Sequence, residues 1–164
     1  MRKKPLKYSS FLKRLQSYWR DWMRPIYETE EDLQKEERLA LAFAQKYGAE
    51  AHKLPALYPL DYSYTKDGSV VAFMEIKIRT NSFAAYPTYM ISLSKITSAR
   101  NIHITTGLPV LLAVKWGCGT VGFIDVNAPF ENLTMGGRTD RNDQADIEPV
   151  VHWNMEAFTI VHQA

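Results

Sequence analysis

One stretch narrows the possible folds more than any other: residues 69–79, SVVAFMEIKIR. It reads as a buried β-strand carrying two charges, Glu75 and Lys77. Strand side chains alternate between faces, so these two point one way while Met74, Ile76 and Ile78 point the other, into apolar packing. A carboxylate and an ammonium in an apolar strand are costly unless paired or bound to a metal. A second carboxylate, Asp61 in YPLDYSY, precedes Glu75 with thirteen residues between, and the turn signal Lys66-Asp67-Gly68-Ser69 falls in that interval. Two carboxylates and a lysine at the end of one hairpin make a candidate metal site with a partner for an attacking water.

Such a site imposes a parity condition on the hairpin. Asp-Gly ordinarily gives a two-residue turn. That turn pairs Lys66 with Ser69 and sets Asp61 across from Met74, on the face opposite Glu75. A one-residue slip reverses every side chain. A shared site therefore predicts an odd-length connection, Lys66-Asp67-Gly68, with Gly68 left-handed and a bulge.

Upstream, residues 29–47 read as a helix, with Thr29 as N-cap and acids in the first turn, where the helix dipole favours them. Leu33, Ala40, Ala44 and Tyr47 share a stripe with Glu37, whereas Glu36 falls with Leu39 and Phe43, so the two glutamates compete for an inward place. Taken together, EERLALAFAQKYG ending at Gly48, then Asp61, then Glu75-Ile76-Lys77 resemble the PD-(D/E)XK nucleases, and within them the branch of the archaeal Holliday-junction resolvases. The resemblance spans about 44 of 164 residues. It departs from the family pattern at the proline, since Leu60 separates Pro59 from Asp61.

The resemblance implies an α/β fold with a restriction-endonuclease-like core: a central mixed β-sheet flanked by helices in the order α-β-β-β-α-β. It implies a metal-dependent DNA endonuclease using Mg²⁺ or Mn²⁺, in which Asp61, Glu75 and the backbone carbonyl of Ile76 hold the metal. Lys77 would hold the attacking water or stabilise charge developing on the phosphate. The resemblance favours Glu37, eleven residues before Gly48, as the inward glutamate reaching the metal's outer shell or a second metal. Lys95 is either a solvent-facing helix lysine or the substrate-binding lysine that many members place on the helix after E-x-K. The resolvase-like branch further implies cleavage of branched DNA by a homodimer. A binding protein on a nuclease fold, and a nickase or exonuclease acting on linear DNA, are the rival readings.

The remaining sequence sets this core in context. A length of 164 suits one domain with a sizeable core, and 46% hydrophobic residues argue against disorder. The net charge of +2 is uneven: residues 1–25 hold eight Lys/Arg against one Asp, and residues 26–50 hold three against seven acids. The amphipathic helix read over residues 9–24 either packs on the core by its aromatic stripe or serves, as a basic N-terminal arm (1–25), to contact DNA or a second subunit, with a single domain covering 26–164. One cysteine, Cys118, excludes an internal disulfide and fits a reducing cytoplasm. No apolar run reaches membrane-spanning length.

Residues 87–106 read as a third helix, 110–116 and 120–126 as strands joined by Gly117-Cys118-Gly119, and 148–153 and 158–162 as two more strands. GCGTVG matches a dinucleotide-binding pattern, but a strand follows it rather than a helix, so its glycines are turn residues. A polar loop is expected over 134–146. Its Arg138 and Arg141 either pair with neighbouring aspartates or clamp phosphates. The four histidines show no zinc spacing.

Overall fold

The computed structural model describes residues 29–137 and 147–163. The expected arm, and Arg138 and Arg141 with it, lie outside the described residues. Chain order is α1 (Glu30–Tyr47), β1 (Glu50–Lys53), β2 (Tyr62–Lys66), β3 (Ser69–Ile78), β4 (Thr88–Ser92), α2 (Leu93–Thr106), β5 (Val110–Lys115), β6 (Val121–Asp125), β7 (Asn132–Gly137), β8 (Ile147–Asn154) and β9 (Thr159–His162). The main sheet has six strands in the order β1-β2-β3-β5-β6-β9. It is mixed, because β3 and β5 run parallel while its other neighbours are antiparallel.

Alternation along β3 divides the core. Met74 and Ile76 pack with Leu39, Ala40, Phe43 and Ala44 of α1. Phe73, on the other face, packs with Ile96 and Ala99 of α2 and with Val110, Leu112 and Val114 of β5. The sheet is therefore covered by a helix on each side, and the odd-numbered residues of β3 face α2. At the end of α1, Gly48 is left-handed (φ 63°) and the Ala49 N–H reaches the Ala44 carbonyl at 2.9 Å. This closure turns the chain directly into β1.

The β2–β3 hairpin meets the parity condition by a different device from the expected one. Its connection is a regular two-residue turn, with Lys66 paired to Ser69 and both Asp67 and Gly68 at positive φ. The odd residue lies inside the ladder. Tyr64 pairs with Ala72 but Thr65 pairs with Val70, leaving Val71 as a bulge. Tyr62 then faces Met74, and the next pair in that register is Asp61 with Glu75.

Two further expectations are corrected. The helix expected over 87–106 begins only at Leu93, because Thr88–Ser92 forms β4, with Tyr89 and Ile91 buried and Met90 exposed. The strand wins because β8 supplies it with an antiparallel partner, Tyr89 opposite Trp153 and Ile91 opposite Val151. The polar loop expected from residue 134 is strand β7 as far as Gly137. Thus β4, β8 and β7 make a second, three-stranded sheet rather than additions to the main one. Its buried Val151 and Trp153 join the core beneath α2.

Candidate active site

Three elements converge at the open end of the β2–β3 ladder. Asp61 is pinned on both sides by its backbone: its N–H donates to the Met74 carbonyl at 3.1 Å and its carbonyl accepts from Leu54 N–H at 2.9 Å. The side chain adds a third tie, with Oδ2 accepting the Ile76 N–H at 2.8 Å. Asp61 and Glu75 therefore stand on one face of adjacent strands, as a shared site requires.

Glu75 is only 3% exposed, in the middle of an apolar strand. A carboxylate so placed needs positive charge close by. Its Oε1 lies 2.7 Å from Lys77 Nζ and 3.2 Å from Lys95 Nζ. Both are ion pairs, and Oε2 is buried without a hydrogen-bond partner. Lys95 comes from the first turn of α2, so the strand-to-helix turn after β4 delivers it.

Lys77 Nζ also donates to the Ile76 carbonyl at 2.9 Å and lies 3.9 Å from Asp61 Oδ2. Burial alone would lower the pKa of this ammonium, but the charges of Glu75 and Asp61 outweigh it and raise the pKa. The Asp61 carboxylate, the Glu75 carboxylate and the Ile76 carbonyl thus surround a single ammonium nitrogen.

The inward glutamate of α1 is Glu36, not Glu37. Glu36 is 7% exposed, whereas Glu37 faces solvent. The buried stripe of α1 runs through Leu39, Ala40, Phe43 and Ala44, and the residue one turn before Leu39 and Ala40 is Glu36. Of the residues that share a stripe with Glu37, Ala40 and Ala44 are buried but Leu33 and Tyr47 are exposed, so that stripe runs along the edge of the core and Glu37 falls outside it.

Glu36 Oε2 accepts from Lys53 Nζ at 3.1 Å, and the same ammonium lies 3.8 Å from Asp61 Oδ1 and 4.8 Å above the Tyr62 ring. Burial and the charge of Asp61 raise the pKa of Glu36 against the opposing effect of Lys53. Sequence reasoning missed Lys53. The available signal was its place as the last residue of β1, opposite Tyr62 and therefore next to Asp61.

The cluster holds Glu36, Asp61 and Glu75 against Lys53, Lys77 and Lys95, so every carboxylate has a lysine beside it. Among the described residues no three His, Cys, Asp or Glu side chains are grouped to hold a metal. The donors at hand are two carboxylates and one main-chain carbonyl. All are oxygen, the chemistry of a hard divalent cation.

Comparison with known proteins bears on this arrangement. A family model described as "Phage putative PDDEXK endonuclease" matches residues 22–161. No curated protein matches the chain. Among solved structures, Archaeoglobus fulgidus Hjc, a Holliday junction resolvase from an archaeal hyperthermophile, superposes with a TM-score of 0.52. The two are 17% identical, and the alignment covers 78% of this chain and 90% of that one. At that identity the likeness is one of fold: a mixed sheet flanked by helices.

Proposed function

This chain belongs to the phage PD-(D/E)XK endonuclease family, and from that premise we propose that it is a divalent-metal-dependent endonuclease that cuts DNA at branched or unpaired positions. The observation that carries the reading is the convergence of Asp61, Glu75 and the Ile76 carbonyl on one positive centre, with the buried Glu75 Oε2 left unsatisfied. These donors fit Mg²⁺ or Mn²⁺ in number of oxygens and in charge.

When bound, such a cation polarises a phosphate oxygen and lowers the pKa of a coordinated water. The chain's own residues supply the rest. Asp61 is held by three hydrogen bonds, so its carboxylate is positioned before substrate arrives. Lys77 keeps its proton and offers an ammonium to an attacking water or to the charge developing on the phosphate. Lys95 neutralises part of the Glu75 charge and presents a cation to the DNA backbone. Glu36 takes the role expected of Glu37, acting through Lys53 at the edge of the site. Paired cutting of a junction calls for two such sites, so a homodimer is part of this reading.

The test is a panel of four-way junction, flap, single-stranded and linear duplex DNA incubated with Mg²⁺ or Mn²⁺, using wild type and Lys77→Ala. Cleavage of the branched substrates by wild type, lost by orders of magnitude in the variant, supports the proposal. Cleavage confined to linear DNA favours the nickase or exonuclease reading. DNA binding without cleavage or metal uptake leaves a binding protein on this fold.

A further inference from the structure

A second concavity opens beside the site. It measures about 460 Å³, and its walls come from Arg79 just after β3, the segment leading into β4, Trp116 just after β5 and the second sheet. Four aromatic residues line it: Phe83, Tyr86, Tyr89 and Trp116. Phe83 and Tyr89 set their rings edge-on to Trp116, at 4.9 and 6.2 Å between centroids. Tyr86 is 64% exposed and enters none of the ring pairs found among the described residues. The wall already holds its shape: the Gly117 N–H donates to the Asn81 carbonyl at 2.9 Å, and the Phe83 N–H donates to Cys118 Sγ at 3.4 Å.

Arg79, two residues after Lys77, connects this cavity to the catalytic face. Glu75, Lys77 and Arg79 are alternate residues of one run, so they form a row on one side of the sheet with a step of about 7 Å. Arg79 brings that row to the cavity. Its Nε donates to Tyr89 Oη at 3.2 Å, Nη2 donates to the Met90 carbonyl at 3.4 Å, and the guanidinium lies 5.0 Å above the Tyr89 ring. Burial raises the pKa of Tyr89, with Arg79 and Lys77 opposing and Glu75 adding to it, which places this phenol in the electrostatic field of both the site and the cavity.

We propose that this cavity receives one unpaired nucleotide of the DNA, its base on the aromatic wall and its phosphate near Arg79, while the neighbouring phosphate lies at Lys77. The inference rests on the nuclease reading and narrows its substrate to DNA that has an unpaired nucleotide next to the cut. A base inside a duplex must first be unpaired and unstacked before it can enter such a recess, whereas an unpaired base is turned out and stacked on aromatic side chains at much lower cost. Recognition is by ring faces and one cation, so it is tolerant of sequence.

The test has a binding arm and a cleavage arm. A flap oligonucleotide carrying 2-aminopurine either at its first unpaired nucleotide or at a paired position is titrated in EDTA with wild type, Tyr86→Ala and Tyr86→Trp. Wild type and Tyr86→Trp should quench the unpaired position, and Tyr86→Ala should not. In Mg²⁺, kcat/KM is measured on a flap and on the same DNA with the flap nucleotide paired. Tyr86→Ala should lose about 5- to 150-fold on the flap, the span expected for one base–aromatic stack, and a clearly smaller factor on the paired control.

Equal losses on both substrates, or quenching by Tyr86→Ala equal to that of wild type, overturn the proposal. If wild type cuts neither DNA, the nuclease reading fails while the EDTA titration still decides the cavity. Tyr86 is a rim residue, so circular dichroism of Tyr86→Ala should match wild type. Should it not, Arg79→Gln is read in the same titration, where undiminished affinity for the oligonucleotide counts against the proposal.

Discussion

The Asp61 carboxylate accepts the Ile76 N–H at 2.8 Å, so one side chain both ties β2 to β3 and belongs to the proposed metal site. Its two duties are separable by mutation. Asp61→Asn keeps an oxygen acceptor for Ile76 and should unfold in urea within about 1 kcal/mol of wild type, while Asp61→Ala strands the N–H and should cost about 1–3 kcal/mol. Both should lose Mg²⁺ affinity by calorimetry, together with cleavage. Equal stability of the two variants would show that the Asp61–Ile76 bond contributes nothing to the fold.

Glu75 has two lysines within 3.2 Å. Lys77→Ala leaves Lys95 beside the carboxylate and should remain folded, and Lys95→Ala should do likewise. The double variant leaves a buried carboxylate without a neighbouring cation and should be destabilised by about 3–5 kcal/mol, more than the two single effects together. Cleavage should separate the lysines differently, falling by orders of magnitude in Lys77→Ala and more modestly in Lys95→Ala. A double-mutant cycle in urea alongside single-turnover assays checks both statements.

Glu36 gives a pH dependence of defined sign. Its pKa in the folded protein is raised above its ordinary value of 4.5, chiefly by burial and by Asp61. The folded state therefore binds this proton more tightly than the unfolded chain does. The resulting stabilisation is fully present below the ordinary value and is lost as pH rises through the folded value. At pH 7 the ionised group is a net cost, so Glu36→Gln should be at least as stable as wild type, and any advantage should shrink as pH falls toward 4.5. Glu37→Gln should stay within about 0.5 kcal/mol of wild type throughout. Thermal melts of the three proteins between pH 4 and 8 make the comparison.

Cys118 is exposed, and its thiol pKa is lowered to about 7, first by Thr120, whose Oγ1 lies 3.3 Å from Sγ, and then by the Phe83 N–H. Alkylation by iodoacetamide should follow a titration with its midpoint near neutral pH, below that of an ordinary thiol. Thr120→Val should move the midpoint upward. A midpoint near 8.5 in the wild type would show that these contacts do not act on the thiolate.

Much of this architecture was legible in the chain, because local rules agree with tertiary demands along residues 37–80. Gly48 ends α1 and alternation along β3 separates Glu75 from Ile76, while the hairpin turns where expected but by a two-residue Asp67-Gly68 turn with its bulge at Val71, not by the odd-length connection. Legibility failed where two periods overlap. Thr88–Ser92 precedes Leu93 without a break, and only the partner strand β8, some sixty residues later, decides that it is extended. The choice between Glu36 and Glu37 turned on where the apolar stripe of α1 is centred, which depends on what the sheet presents to it. Lys53 joins the cluster through strand pairing, a relation that spacing along the chain does not reveal.

The Val71 bulge separates the tip of the hairpin from its root. Parity is settled between Tyr64 and Ala72, so the chain beyond that point, Thr65 to Val70, is free to vary without moving Asp61 relative to Glu75. This makes the tip a tolerant place to graft an epitope or a fluorophore. Drawing Val71 into the ladder carries the opposite consequence. The Thr65–Val70 register would then run on through Val71 opposite Tyr64, Asp61 would fall opposite Met74, and its carboxylate would turn to the other side of the sheet. Deleting Val71 closes the bulge while keeping the Tyr64–Ala72 and Tyr62–Met74 pairs, so Asp61 stays beside Glu75. The site is thus indifferent to the loss of this residue and vulnerable only to its being paired.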